Sequence, residues 1–332
     1  MRIYLSRRAV LAGSASAAAF AIGARMDGSR AAMGKVRVAW GDVIDVESLP
    51  MAIAWARIKD RGIDNEITSF AQEDLAIQAT VGGQADVGIA TPFAVMEKVK
   101  DLRIFFQDEA LIFHAVVSKE YGTWKDLDGQ PFVFHARGSG TEAYGNFMAR
   151  QNGIKFGQIS YLSGSGNRSV AMLGGQIKAT ILDLPNTNLV LEKAPDKFHL
   201  LPGPKQAATN EGLFAHQEWM KNNPEAVSII TEEFLKLYRE MKDNPGIIAE
   251  EREKRGLLAN QTKDTAETIT AFVKQGMESG LWNPEGGSEA LAQADLDFYS
   301  ISGAIKGPAD QLKPSDFWDL APLEAAKKKL GG

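Results

Sequence analysis

The chain has 332 residues, with 37 Lys+Arg against 42 Asp+Glu and a formal net charge of −5. Its 44% hydrophobic and 24% charged residues are ordinary for a globular protein and exclude an unfolded chain. No cysteine is present, which excludes disulfides, Cys-ligated zinc, iron–sulfur clusters, cysteine nucleophiles and a lipid-modified N-terminal Cys.

The charge is uneven along the chain. Residues 1–31 hold five arginines and one acid, which leaves 32 bases and 41 acids, or −9, on the rest. That body is too acidic to bind a nucleic-acid backbone, which needs an excess of Lys and Arg. The head reads as a cleaved export signal. An arginine-bearing start is followed by an Ala-rich apolar run over residues 9–23, too short to span a bilayer. Ser29-Arg30-Ala31 fits a small-x-small cleavage site, and Ser6-Arg7-Arg8-Ala9-Val10-Leu11 resembles the twin-arginine export motif. The expected mature protein is periplasmic, soluble and not a lipoprotein.

The next 300 residues alternate strands and helices and are long enough for two domains. Val36-Arg37-Val38-Ala39-Trp40 reads as a strand, and residues 49–59 show helix spacing with Pro50 in the first turn. Residues 67–70 predict a strand, 73–81 a helix and 86–90 a strand ending at Thr91-Pro92. This repetition implies a parallel sheet covered by helices. The scheme restarts at Pro131, with strands at 132–135, 159–162 and 178–182 and helices at 140–152 and 167–173. The two halves share a segment 92 residues apart: Val81-Gly82-Gly83-Gln84-Ala85-Asp86 and Leu173-Gly174-Gly175-Gln176-Ile177-Lys178. In both, Gly-Gly stops a helix before a strand.

Extended runs at 110–117 and 211–215 are candidate crossings between two lobes. They divide the chain into a first lobe at 35–112 and 210–332 and an inserted second lobe at 113–209. From Pro224 onward the chain reads as helical. Val227, Ile230, Phe234, Leu237 and Met241 form one apolar stripe, and Ile269, Phe272, Val273 and Gly276 a second. The run Glu250 to Arg255 reads as a solvated helix face, and Lys327-Lys328-Lys329 as a basic end with no partner implied.

Ligands of open parallel sheets bind beyond the carboxyl ends of the strands. That rule selects the loops at Trp40-Gly41-Asp42, Ala71-Gln72, Thr91-Pro92, 137–141, 163–168 and Asp183-Leu184-Pro185-Asn186. Arg137-Gly138-Ser139-Gly140-Thr141 is the most informative of them. It joins a strand to a helix N-terminus, where backbone N–H groups favour an anion and Arg137 adds a bidentate donor. The plain alternative is that Ser139 or Thr141 only caps the helix and Arg137 sits in water. Asp42, Asp45, Glu47 and Asp183 could meet in the cleft and hold an amine or order the arginines, although acids also cap helices.

Other chemistry is weakly represented. Gly138-Ser139-Gly140-Thr141-Glu142-Ala143 fits the dinucleotide fingerprint G-x-G-x-x-A, and Asn167-Arg168-Ser169 offers a seat for a 2′-phosphate. That is the case for an exported NADP-dependent oxidoreductase. No acid ends the strand at Leu162, however, and the first lobe has no equivalent motif. His114, His135, His199 and His216 lack metal-ligand spacing and read as structural. Nucleophile-elbow, P-loop and H-E-x-x-H motifs are absent. The expectation is therefore a non-enzyme with no metal and no cofactor.

In family order, these motifs resemble the periplasmic solute-binding proteins of ABC importers, in the nitrate/sulfonate/taurine-binding and thiamine-precursor-binding group. Gly83-Gln84-Ala85-Asp86-Val87-Gly88-Ile89 resembles that group's helix-to-strand segment, with a counterpart at 175–182. His114-Ala115-Val116-Val117 with Trp124-Lys125-Asp126-Leu127-Asp128-Gly129 resembles its crossing strand and following turn. Gly138-Ser139-Gly140-Thr141 is similar to its second-lobe anion loop, and Asn222-Asn223-Pro224-Glu225-Ala226-Val227 to the start of its long C-terminal helix.

The resemblance implies an α/β, type II periplasmic-binding-protein fold, two lobes joined by two crossing segments. It also implies a monomer that delivers a small anionic or zwitterionic organic solute to a membrane permease. Arg137, Ser139, Gly140 and Thr141 would fix the acidic group. Trp40, Asp42, Gln72 and Thr91 would approach from the first lobe, and Asn167 and Asp183 would complete the second. A TRAP-type (TAXI-class) receptor is the nearer alternative. It is set apart by the absence of its Gly- and Tyr-rich loop after Trp40.

Overall fold

The chain path follows the periodicities. β1 (Val36–Trp40), α1 (Leu49–Asp60), β2 (Asn65–Ser69), α2 (Glu73–Val81), β3 (Val87–Ala90) and the short α3 (Phe93–Met96) lead into β4 (Leu102–Ala110). The second set is β5 (His114–Ser118), β6 (Pro131–Phe134), α4 (Gly140–Asn152), β7 (Gln158–Tyr161), α5 (Ser165–Leu173), β8 (Ala179–Leu182), α6 (Leu184–Lys193) and β9 (Phe198–Leu201). The chain returns on β10 (Thr209–His216). It finishes through α7 (Gln217–Asn222), α8 (Pro224–Asp243), α9 (Ile247–Arg255), α10 (Ala266–Ser279), α11 (Glu289–Ser302) and α12 (Ala321–Lys329). This computed structural model describes residues 34–331 apart from 43, 71, 206 and 261–263. The expected export signal at 1–31 lies outside the described residues. Among those described, no helix is long and apolar enough to cross a membrane.

Two mixed five-stranded sheets result, ordered β2-β1-β3-β10-β4 and β7-β6-β8-β5-β9. In the first, β1 pairs parallel with β2 and β3, and β10 runs antiparallel between β3 and β4. In the second, β6 pairs parallel with β7 and β8, and β5 runs antiparallel between β8 and β9. Each sheet with its helices is one lobe of a periplasmic-binding-protein fold, and each contains one strand that reverses direction. The expected single extended run at 110–117 is in fact divided. β4 ends at Ala110 in the first sheet and β5 begins at His114 in the second. The two crossings hold each other, since the Leu111 N–H donates to the Ala208 carbonyl at 2.8 Å.

The internal repeat has a geometric basis. Gly83 and Gly175 take φ of +69° and +72°, values that L side chains rarely adopt. The same hydrogen bonds follow each glycine. Gln84 N–H donates to Ala79 O and Gln176 N–H to Ala171 O, both at 2.8 Å. Each helix stops and its chain turns directly into β3 or β8.

The apolar stripe of α8 is entirely core, with Val227, Ile230, Phe234, Leu237 and Met241 all buried. It packs on α1 and α12. The run Glu250 to Arg255 is less solvated than expected. Glu251 joins Arg57 at 3.2 Å and Arg255 at 2.6 Å, stitching α9 to α1. The basic end also finds partners: Lys327 Nζ donates to Gly287 O, and Lys329 pairs with Glu232 at 2.7 Å. One helix reaches the other lobe. On α11, Phe298 stacks on Phe147 of α4 with ring centroids 4.7 Å apart, and Ile301 O accepts from Arg150.

Candidate functional site

The carboxyl ends of the parallel strands of both sheets converge on one cavity of about 210 Å³. The first lobe lines it with Trp40, Asp42, Asp45, Glu47, Glu73 and Ser48 from β1 and its following loop and from α2. The crossing segments add Glu109, Phe113, Asn210 and Glu211. The second lobe supplies His135, Thr141, Gly164 with the first turn of α5, and Asp183. Across the cleft, Asp42 Oδ2 stands 3.9 Å from His135 Nδ1.

Seven of the lining residues are carboxylic acids and only one is an arginine. That arginine, Arg168, is 1% exposed and its guanidinium is committed to the protein. It donates to Ile181 O, Leu162 O and Ser165 Oγ at 3.1, 2.9 and 2.8 Å. Burial pushes it down to about 10, with Asp183 and Asp42 opposing, so it stays charged at neutral pH. Burial pushes the acids up. Asp45 rises to about 7, with Asp42 and Asp183 adding repulsion, and Glu73 rises to about 7. Glu47, Glu109 and Glu211 lie well above the usual carboxylate range, again through burial first and mutual repulsion second. Asp183 is raised by burial, but donors from Asn186 and Ser165 and the charge of Arg168 hold it back.

The acids differ in what satisfies them. Glu73 Oε2 accepts the Thr91 N–H at 2.9 Å. Asp45 Oδ1 accepts the Glu47 N–H at 3.0 Å. Asp183 caps α6, accepting the Asn186 N–H at 2.8 Å. Glu109 and Glu211 are paired across the antiparallel strands β4 and β10, between two irregularities of the register. They are 8% and 5% exposed, and burial is the first cause that raises each, with neighbouring carboxylates after it.

The structure distributes the ten expected contact residues. Trp40, Asp42, Thr141, Asn167 and Asp183 line the cavity. Thr91 lies behind its wall, wholly buried, with Oγ1 donating to Asn210 O at 2.6 Å. Gln72 is exposed at the start of α2 and outside the lining. Arg137 is also exposed, with its guanidinium carbon 5.3 Å from the centre of the Tyr161 ring. Ser139 is buried and caps α4, accepting the Glu142 N–H. Gly140 packs so closely on Asn210 that a Cβ there would lie 2.0 Å from Asn210 Oδ1. The proposed anion loop is filled by its own helix: the Glu142 carboxylate accepts the Gly138 N–H at 2.6 Å.

Sequence reasoning did bring Asp42, Asp45, Glu47 and Asp183 together. It missed Glu73, Glu109 and Glu211, and it placed His135 with the structural histidines. Acids inside otherwise apolar crossing strands were the available signal, because a charge there needs a partner. His199 and His216 do make structural contacts, to Tyr121 O and to Asp101. The dinucleotide fingerprint does join β6 to α4, but Arg168, its intended phosphate donor, is spent on backbone carbonyls.

Two α/β lobes around a cleft at the carboxyl ends of both sheets are the periplasmic-binding-protein fold. The chain belongs to the NMT1/THI5-like family, whose profile matches residues 58–247. Among solved structures it is similar to a protein from Bordetella bronchiseptica RB50, with 24% identity, 90% of this chain and 98% of that chain covered, and a TM-score of 0.71. The nitrate-binding protein NrtA of Synechocystis PCC 6803 has 11% identity, coverage of 90% and 89% and a TM-score of 0.66. The ligand-binding component of an ABC-type import system from Staphylococcus aureus, solved with zinc bound, has 13% identity, coverage of 88% and 98% and a TM-score of 0.63. No curated protein matches the chain.

Proposed function

We propose that this protein is the solute-binding component of an ABC importer and captures a small organic solute between its two lobes. The carrying observation is a cavity lined from both sheets and from the two crossing segments that join them. A solute there touches both lobes, so the closed form gains contacts that the open form lacks. Presentation of the closed form to a membrane permease, export through the twin-arginine route with loss of residues 1–31, a periplasmic location and action as a monomer complete the reading. No catalytic step is part of it. The relatives described above as nitrate-binding and ABC-type import proteins support it.

Of the two solute classes expected from the sequence, anionic and zwitterionic, the lining favours the second. A purely anionic solute would enter a cavity of seven carboxylic acids whose one guanidinium is already engaged. A solute with a positive group offsets that field. Native mass spectrometry of freshly purified mature protein tests the reading, together with a thermal-shift screen of small solutes. A co-purified or added solute that raises the melting temperature is expected. Absence of any bound solute in both measurements, or turnover of one, refutes it.

A further inference from the structure

The solute-capture reading, on which this inference rests, leaves the second crossing without a role of its own. We propose that Asn210 is a solute-binding residue, whose side-chain amide donates a hydrogen bond to an oxygen of the captured solute. Gly140, on the second lobe, is its positioning residue.

The strand pairing singles Asn210 out. Thr209 pairs with Ala110 and Glu211 with Glu109, so Asn210 is an extra residue on β10 with no partner on β4. That is a β-bulge, a device that re-aims a side chain and recurs beside binding sites. The backbone around it is held firmly. Thr209 gives its N–H to Asp295 Oδ1 at 2.6 Å, and its carbonyl accepts the Tyr299 hydroxyl. The Asn210 carbonyl accepts the Thr91 hydroxyl at 2.6 Å. α11 and the end of β3 thus fix the point from which the side chain projects.

The side chain itself is what lacks a partner. Asn210 is 6% exposed and lines the cavity. Among the described residues, the backbone carbonyl takes the Thr91 hydroxyl and nothing bonds the amide. Neither Oδ1 nor Nδ2 belongs to the partnerless atoms that packing seals off, as Trp40 Nε1 and His135 Nε2 do. A partnerless atom that is not sealed is open to an incoming group, and the cavity is the open space that Asn210 meets. Buried amides are costly to leave unpaired, so the group that completes this one comes from the cavity.

Gly140 decides which end of the amide the solute meets. A Cβ at 140 would lie 2.0 Å from Asn210 Oδ1 and 2.9 Å from Leu111 Cδ1. Oδ1 is therefore turned onto the bare backbone at the start of α4. That leaves Nδ2, with its two N–H groups, for the solute. Other donors of the lining are spent: Arg168 on Ile181 O, Leu162 O and Ser165 Oγ, and Asn167 Nδ2 on Ser163 O at 2.9 Å. In a wall of carboxylic acids, an uncommitted N–H suits a solute oxygen, the acidic end of a zwitterion included. One side chain then touches both the solute and the second lobe. A bound solute consequently favours the arrangement in which α4 rests on the crossing.

The test compares the mature wild type with Asn210→Ala, Gly140→Ala and the double variant. Each is melted, titrated calorimetrically with taurine, β-alanine and putrescine, and analysed by native mass spectrometry for a co-purified solute. Taurine and β-alanine carry acidic oxygens, and putrescine carries none. Without solute, Asn210→Ala should melt within about 2 °C of wild type, because its amide bonds no protein group. It should bind the oxygen-bearing probe or the co-purified solute at least about 10-fold more weakly. Gly140→Ala should weaken the same solute, and should add little to the loss that Asn210→Ala already causes. A crystal structure of the wild-type complex should place a solute oxygen within about 3.2 Å of Asn210 Nδ2, a readout that needs no substitution. Binding by Asn210→Ala within about twofold of wild type, additive losses in the double variant, a solute without oxygen, or a complex lacking that contact overturns the proposal and leaves solute capture standing. A large drop in the melting temperature of solute-free Asn210→Ala does the same, since it makes the residue structural. No binding of any probe and no co-purified solute overturns both.

Discussion

Arg137 and His135 stand two residues apart at the end of β6 and meet different surroundings. His135 turns into the cavity wall, whereas Arg137 lies exposed against the Tyr161 ring. Arg137→Ala is therefore expected to leave solute affinity within about twofold, the range of a surface substitution away from a site. Calorimetry of the variant checks this, and a loss of 10-fold or more would return Arg137 to the site. The exposed guanidinium was an attractive ligand in sequence because Gly138-Ser139-Gly140-Thr141 follows it. What the sequence left open is who fills the loop. Glu142, on the first turn of α4, reaches back to the Gly138 N–H, a local contact that a Ser-x-x-Glu pattern allows. The four acids near chain turns were legible as a group. Glu109 and Glu211 were not, because 102 positions of chain separate two residues that the sheet puts opposite each other.

At the scale of elements, the repeated glycine stops make a matched prediction. Nothing lies within 4 Å of a Cβ built at either Gly83 or Gly175, so Ala meets only the cost of a left-handed backbone. Gly83→Ala and Gly175→Ala should each destabilise by about 1 kcal/mol. Urea unfolding midpoints check the pair, and a cost at one site alone would show that the two turns are not equivalent. Elements with clear periodicity were read well, because a helix face or a strand run is encoded within a dozen residues. β4 was underread at 102–109, where Gln107, Asp108 and Glu109 interrupt the apolar pattern although all three are buried. Their partners are remote. Gln107 bonds Thr209 and Asn283, and Asp108 bonds Tyr238. α11 shows the same dependence on distant partners. Its Asp295 accepts the Thr209 N–H and hydroxyl and the Trp318 indole, fixing the start of β10 at the second crossing.

At the scale of the whole molecule, the buried acids set the response of stability to pH. Asp45, Glu73, Asp108 and Asp295 are each held near about 7 by burial, and Glu47, Glu109 and Glu211 stand well above their usual range. Their unfolded values are about 4. Between those limits the folded chain binds more protons than the unfolded chain, so stability falls as pH rises through the folded values. His114 and His135, lowered by burial, act in the opposite sense, but only below their ordinary value of about 6.5. The solute-free protein should therefore melt several degrees higher at about pH 5 than at about pH 8. Calorimetric scans across that range check the sign, and a melting temperature that climbs steadily with pH would contradict it. The sequence by itself determined the alternating elements, the paired halves and the loops at the cleft, because these depend on periodicities and turn residues close together in the chain. Only the tertiary structure decided the charge of the cavity. Two crossings fold residues 42–211 around one small volume, where burial raises each acid and its neighbours compound the effect, a sum that no local pattern carries.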